Sequence, residues 1–325
     1  MAFALTPVVV GLGSAEVYVR HVGLVSEAYE SGGDLGWTAR PGLENYRFQT
    51  RVESAAFEVT TNADGLRTSH QRVRPPDQKR VMVFGESTVF GWGVPEEAVP
   101  AVLLEGALGP GWQVINGGQP GYTSEQVSRL SQLAVPAYRP DVVIMFHTWN
   151  DLRYAERGDR AFLPEHAAVA RHAWWSKSML MRWLLEAEEG DASLEIPRHN
   201  PLVSFREALP GESVRVSSEE RAENIDAVAA ICRKYGVEFV LAMLPPGAPG
   251  ITQRTVCPDH FICTELQMGA ERAGAPFFDL TPALAGWSEE LLLLYQDPGH
   301  FTALGNQALM QYLAALLLES QKSGE

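Results

Sequence analysis

From Arg80 onward, short runs of consecutive apolar residues alternate with stretches of helical length, and this alternation restricts the fold more than any other feature. The runs are "VMVF" (81–84), "QVIN" (113–116), "VVIMF" (142–146), "EFVLAML" (238–244) and "PFFDL" (276–280). A strand with one wet face alternates apolar and polar residues; these runs do not, so both of their faces must be buried. Helices are expected at about 95–108, 124–137, 218–235 and 302–319. Strands joined by helical crossovers run parallel, so the chain is expected to be α/β, with a parallel sheet covered by helices on both faces.

Two segments fall outside the alternation. Residues 1–75 contain short alternating stretches such as "FEVTT" and turn signals such as "NADG", which predicts a small, partly β extension ending at the polar "QRVRPPDQKR". Residues 152–215 are too long for a crossover and read as an insertion in a main domain of 76–325. The insertion carries "HAAVARHAWWSKSMLMRWLLEAEEG", and Trp175, Met179 and Trp183 repeat at helical spacing. Its tryptophans Trp174, Trp175 and Trp183 suit either a pocket lining that selects substrates or simple core packing. Its histidines, His166, His172 and His199, lack the i, i+4 spacing of paired metal ligands and read as solvated or packed.

Charge and cysteine content narrow the function classes. Lys and Arg number 26 against 40 Asp and Glu, a net charge of −14. An acidic chain without a basic cluster is a poor ligand for nucleic acid, where affinity comes from neutralising phosphates. The segment "VCPDHFIC" groups Cys257, Asp259, His260 and Cys263 without any standard zinc spacing and reads as a surface loop. Cys257 and Cys263 are close enough to pair in an oxidising compartment. The N-terminus is uncharged before Glu16, too short an apolar stretch to span a bilayer and without a basic leader. It reads either as the end of a longer membrane anchor, with the protein extracytoplasmic or membrane-proximal, or as a buried first element of a cytoplasmic one.

Ligands of open parallel sheets bind beyond the carboxyl ends of the strands. There the first run is followed by Gly85-Glu86-Ser87, the second by "NGGQPGYTS", and the third by "HTWND" with Asn150 and Asp151. Beyond the fifth, before the last helix, comes "LYQDPGHFTALGN" with Asp297 and His300. Together these groups suffice for hydrolysis without a cofactor or metal. A serine hydroxyl needs an adjacent base, which histidine supplies near neutral pH, and a carboxylate holds the imidazole in the right tautomer. The oxyanion of the tetrahedral intermediate needs N–H donors: Gly121 offers a backbone N–H, Asn150 a side-chain amide, and Ser87 its own N–H. Singly, each residue has a plain structural reading: a small residue in a sharp turn, a packed histidine, a helix cap, glycine punctuation. Their joint occurrence at successive strand ends favours chemistry. No Gly-x-Ser-x-Gly elbow, phosphate loop or full dinucleotide fingerprint is present.

"GES", "NGGQPG", "ND" and "DPGH", in that order across residues 80–320, resemble the four blocks of the SGNH/GDSL hydrolases. The resemblance implies a flavodoxin-like three-layer α/β/α sandwich around a five-stranded parallel sheet. It also implies Ser87 as nucleophile, His300 and Asp297 as its partners, and Ser87, Gly121 and Asn150 as the oxyanion hole. Two positions depart from the family pattern: Glu86 replaces the usual aspartate, and Thr148 replaces the glycine two residues before Asn150. The expected activity is hydrolysis of a carboxylic ester through an acyl-Ser87 intermediate, the substrate being a small-molecule, lipid or glycan ester. Acyl transfer to an alcohol would use the same residues, and a non-catalytic binding protein on this fold is the third reading.

Overall fold

A computed structural model describes residues 28–48, 56–164, 211–245, 261–294 and 297–323. The central sheet has five strands: β1 (Lys79–Gly85), β2 (Trp112–Gly118), β3 (Val142–Phe146), β4 (Glu238–Met243) and β5 (Phe277–Asp279). Their order is β2-β1-β3-β4-β5, with every pair parallel. This is the flavodoxin-like order, whose switch point lies between β1 and β3. Val81 stands opposite both Val114 and Val142, and Ile144 opposite Val240. The rows of apolar side chains are therefore continuous across the sheet.

Strand side chains alternate between faces, which divides the core in two. Met82, Phe84, Ile115, Val143 and Leu241 pack on one side against α3 (Ser124–Tyr138), α4 (Ser218–Tyr235) and α5 (Phe261–Ala273). Val81, Val83, Val114, Ile144 and Val240 pack on the other against α2 (Pro100–Leu108) and α6 (Ala303–Ser323). Leu309, Leu313 and Leu317 form the inward stripe of α6 at i, i+4, i+8. Each such fully buried side chain contributes about 1.5–3 kcal/mol. The expected three-layer α/β/α sandwich is the observed architecture.

Local signals account for most boundaries. Capping boxes open α3 (Thr123 with Gln126) and α4 (Ser217 with Glu220), and Gly236 in the left-handed conformation closes α4. The helix expected over 95–108 is broken: a 3₁₀ turn spans Glu96–Ala98, and Val99, extended before Pro100, separates it from α2. The sequence reading misses α5. Phe261–Cys263, read as part of a surface loop, open this helix, and its Ile262, Cys263, Leu266 and Ala270 are buried on one face. Cys263 is disulfide-bonded and Cys232 is a free, buried thiol; Cys257, Asp259 and His260 lie outside the described residues.

The described part of the N-terminal segment holds two antiparallel pairs: Tyr29–Ser31 with Trp37–Ala39, and Tyr46–Phe48 with Phe57–Val59. It packs closely on the sheet. Leu35 and Leu66 join the first core, while Phe48 and Phe57 form an aromatic cluster with Phe90 and Trp92. The segment after β3 leaves and returns along paired arms, Tyr154–Ala155 against Ser213–Val214. His166, His172, His199, Trp174, Trp175 and Trp183 lie outside the described residues. Among the described residues, no helix is long and apolar enough to cross a membrane.

Candidate active site

β1 ends at Gly85, Glu86 stays extended, and Ser87 opens α1 (Ser87–Phe90), a single helical turn. The turn sits directly on β2: a Cβ on Gly118 would lie 2.4 Å from the Phe90 nitrogen, so only glycine admits this approach. The Gly91 and Trp92 N–H groups donate back to the Ser87 carbonyl at 3.1 and 3.0 Å. His300 arrives on the strand Asp297–Phe301, just before α6. Its Nε2 lies 2.7 Å from Ser87 Oγ, although the two residues are 213 positions apart in sequence. The His300 ring lies 6.2 Å from that of Trp92, and the Ser87 and His300 side chains are both largely withdrawn from water. Asp297 begins the strand that carries His300; its side chain lies outside the described residues.

Gly121 lies between β2 and α3 at φ +78°, a left-handed conformation that suits glycine. No acceptor among the described residues takes its N–H. Asn150, 1% exposed, stands in the 3₁₀ turn Trp149–Leu152 after β3. Its side-chain amide donates to the Tyr122 carbonyl at 2.9 Å, which ties it to the Gly121 loop and leaves its second amide hydrogen for another acceptor. The two departures have clear positions. Glu86 turns its buried carboxylate toward the Asn150 backbone N–H, Oε2 to N 3.2 Å. Thr148 is fully buried and donates to Asp151 Oδ1 at 2.8 Å, the same oxygen that accepts the Ser124 N–H at 2.7 Å. Thr148 thus links the β3 end to the start of α3.

Burial dominates the electrostatics. It pushes the Glu86 carboxyl up to about 7, opposed by the charges of Arg153 and His300 and by the Asn150 N–H. Burial also raises the Asp151 carboxyl, opposed by Arg221, whose Nη1 lies 3.6 Å away. The serine and the imidazole therefore meet in a buried setting, where hydrogen bonds gain strength. A cavity of about 150 Å³ lined by Ser218, Arg221, Ile225, Glu265 and Met268 lies between α4 and α5 and contains none of these groups.

Ser87, His300, Gly121, Glu86 and Asn150 all come from the quoted sequence blocks. Trp37, Asp159 and Arg215 do not; Trp37 and Arg215 bind the peptides on either side of Gly121, and Asp159 holds Arg215. Trp37 Nε1 donates to the Pro120 carbonyl at 2.9 Å, and Arg215 Nη1 to the Gly121 carbonyl at 3.0 Å. Asp159 pairs with Arg215 at 2.8 Å and accepts the Thr123 hydroxyl at 2.7 Å. Each lies in a segment with no motif, and only the long-range packing brings them to the loop.

A family model described as GDSL-like Lipase/Acylhydrolase matches residues 83–261. No functionally curated protein matches the chain. Among solved structures, a carbohydrate acetylesterase from Sinorhizobium meliloti is 14% identical, with 74% of this chain and 99% of that chain covered and a TM-score of 0.46. An aryl esterase of M. smegmatis is 16% identical over 74% of this chain and 99% of its own, with a TM-score of 0.43. A psychrotrophic esterase from Pseudoalteromonas sp. is 12% identical over 76% and 100%, with a TM-score of 0.45.

Proposed function

Because the chain belongs to the GDSL-like lipase/acylhydrolase family, we propose that it is a serine esterase, cleaving a carboxylic ester through an acyl-Ser87 intermediate. The observation that carries the reading is the 2.7 Å separation of Ser87 Oγ and His300 Nε2. That is hydrogen-bond distance between a nucleophile and its base.

In this reading Ser87 Oγ attacks the ester carbonyl carbon as its proton passes to His300 Nε2. The carbonyl electron pair moves onto oxygen, which receives the N–H groups of Ser87 and Gly121 and the Asn150 amide. The pair then returns, the C–O bond to the alcohol breaks, and the leaving oxygen takes the proton from His300. Water repeats the sequence on the acyl-enzyme and frees the carboxylic acid. Asp297 is assigned the carboxylate that orients the imidazole and stabilises its cation.

The test is a steady-state assay on short-chain aryl esters. Ser87→Ala and His300→Ala should each lower kcat by about 10⁴-fold or more. The double variant should lose no more than either single one, because the two groups act as a unit. Turnover by Ser87→Ala within about tenfold of wild type would overturn the reading.

A further inference from the structure

Gly121 is held from outside on both of its flanking peptides. The Pro120–Gly121 peptide carries the N–H assigned above to the oxyanion, and its carbonyl accepts Trp37 Nε1–H at 2.9 Å. A trans peptide is planar, with C=O and N–H pointing in opposite directions, so fixing one aims the other. The next carbonyl, that of Gly121, accepts Arg215 Nη1 at 3.0 Å. Gly121, at φ +78°, is the third residue of a turn closed by the Tyr122 N–H on the Gln119 carbonyl at 3.3 Å, and the Trp37 and Arg215 contacts hold that turn from outside.

The two clamps support one another. Trp37 also accepts the Tyr122 hydroxyl on its carbonyl at 2.6 Å, and its ring meets that of Tyr122 edge-on at 5.9 Å. The Arg215 guanidinium lies 5.8 Å from the Trp37 ring centre and is buried with Asp159, donating to it at 2.8 and 3.0 Å. The Tyr122 carbonyl in turn takes the Asn150 amide. The Gly121 loop thus joins both side-lying oxyanion donors to a frame built by the N-terminal segment and the returning arm of the insertion.

We propose that Trp37 and Arg215 are positioning residues for the oxyanion hole: without touching substrate, they aim the Gly121 N–H, and Trp37, through the Pro120 carbonyl, also polarises the Pro120–Gly121 peptide. The proposal rests on the esterase reading and on Gly121 as an oxyanion donor. A hydrogen bond to a peptide carbonyl strengthens the N–H of the same peptide as a donor. Packing alone predicts a different outcome, a lower melting temperature with unchanged chemistry per folded molecule.

The experiment compares an aryl ester with its thionoester, in which sulfur replaces the carbonyl oxygen and accepts hydrogen bonds poorly. Trp37→Phe removes the N–H and keeps an aromatic ring; 3-benzothienylalanine at position 37 removes it while keeping the indole shape, should the phenylalanine variant fail to fold. The ester kcat should fall about tenfold with KM within about twofold, less than the 10²–10³ expected for losing a donor outright. The thionoester rate should change much less, so the ester-to-thionoester ratio shrinks. Arg215→Lys should move the ratio in the same direction. An unchanged kcat in a folded variant, or equal losses on both substrates, would overturn the proposal. Ser87→Ala and Asn150→Ala run alongside: if Ser87→Ala is inactive and Asn150→Ala slow while the position-37 variants match wild type, only this proposal fails. If Ser87→Ala retains turnover, the esterase reading falls and this proposal with it.

Discussion

Glu86 lies one residue before Ser87, 5% exposed, with its carboxyl held against the Asn150 N–H. The extra methylene relative to aspartate lets it reach from the end of β1 to the turn after β3, and burial is what raises it from the ordinary 4.5 to about 7. The linkage follows in sign. A carboxyl with a raised folded-state pKa binds more protons folded than unfolded, so its contribution is fully present below pH 4.5 and is lost as pH rises toward 7. Glu86→Gln stays neutral throughout. Urea denaturation should therefore show wild type losing stability relative to Glu86→Gln by about 3 kcal/mol across that window. A stability difference that is flat with pH would mean that the carboxyl is solvated in the folded protein.

At the scale of elements, α1 is the point of interest because four residues cannot hold a helical turn by themselves. Arg67, whose side chain is fully buried, holds the end of the turn. Its guanidinium donates to the carbonyls of Gly91 at 2.6 Å, Val94 at 3.0 Å and Glu58 at 3.1 Å, and reaches Glu96 at 3.2 Å. It stands 5.4 Å from the ring centres of Phe57 and Phe90. Arg67→Met fills similar space and leaves the carbonyls of Gly91, Val94 and Glu58 without this donor, each worth about 1–3 kcal/mol when buried and unpaired. The expected loss is about 3 kcal/mol or more in chemical denaturation, and a loss below about 1 kcal/mol would mean that water satisfies them. Nothing in "DGLRTS" marks Arg67 as buried, since an arginine in a turn-rich stretch is normally solvated. Elements with local signals were legible: the apolar runs of β1 to β5, and the caps of α3 and α4. The helix α5 was not, because Cys257, Pro258 and Asp259 carry turn chemistry while the buried stripe of Ile262, Leu266 and Ala270 follows them.

Over the whole molecule, sheet topology decides which candidate residues share one end of the sheet. The order β2-β1-β3 brings the ends of the first three strands side by side, so the connections that carry Ser87, Gly121 and Asn150 leave the same end of the sheet although they span more than sixty residues. His300 joins them because the strand Asp297–Phe301 precedes α6, which packs on the face of β1. The support behind Gly121 was illegible for the converse reason: Trp37 and Arg215 are 178 positions apart and come from segments with no periodic pattern. The central claim, that Ser87 forms the acyl-enzyme, has a direct test in the intact mass of the chain. Quenching with acid during turnover of an aryl ester should reveal a species heavier by one acyl group, located on the peptide that contains Ser87 and missing in Ser87→Ala. The adduct should form at catalytically competent rates; the same adduct in Ser87→Ala, or full turnover with acylation at another residue, would contradict the assignment.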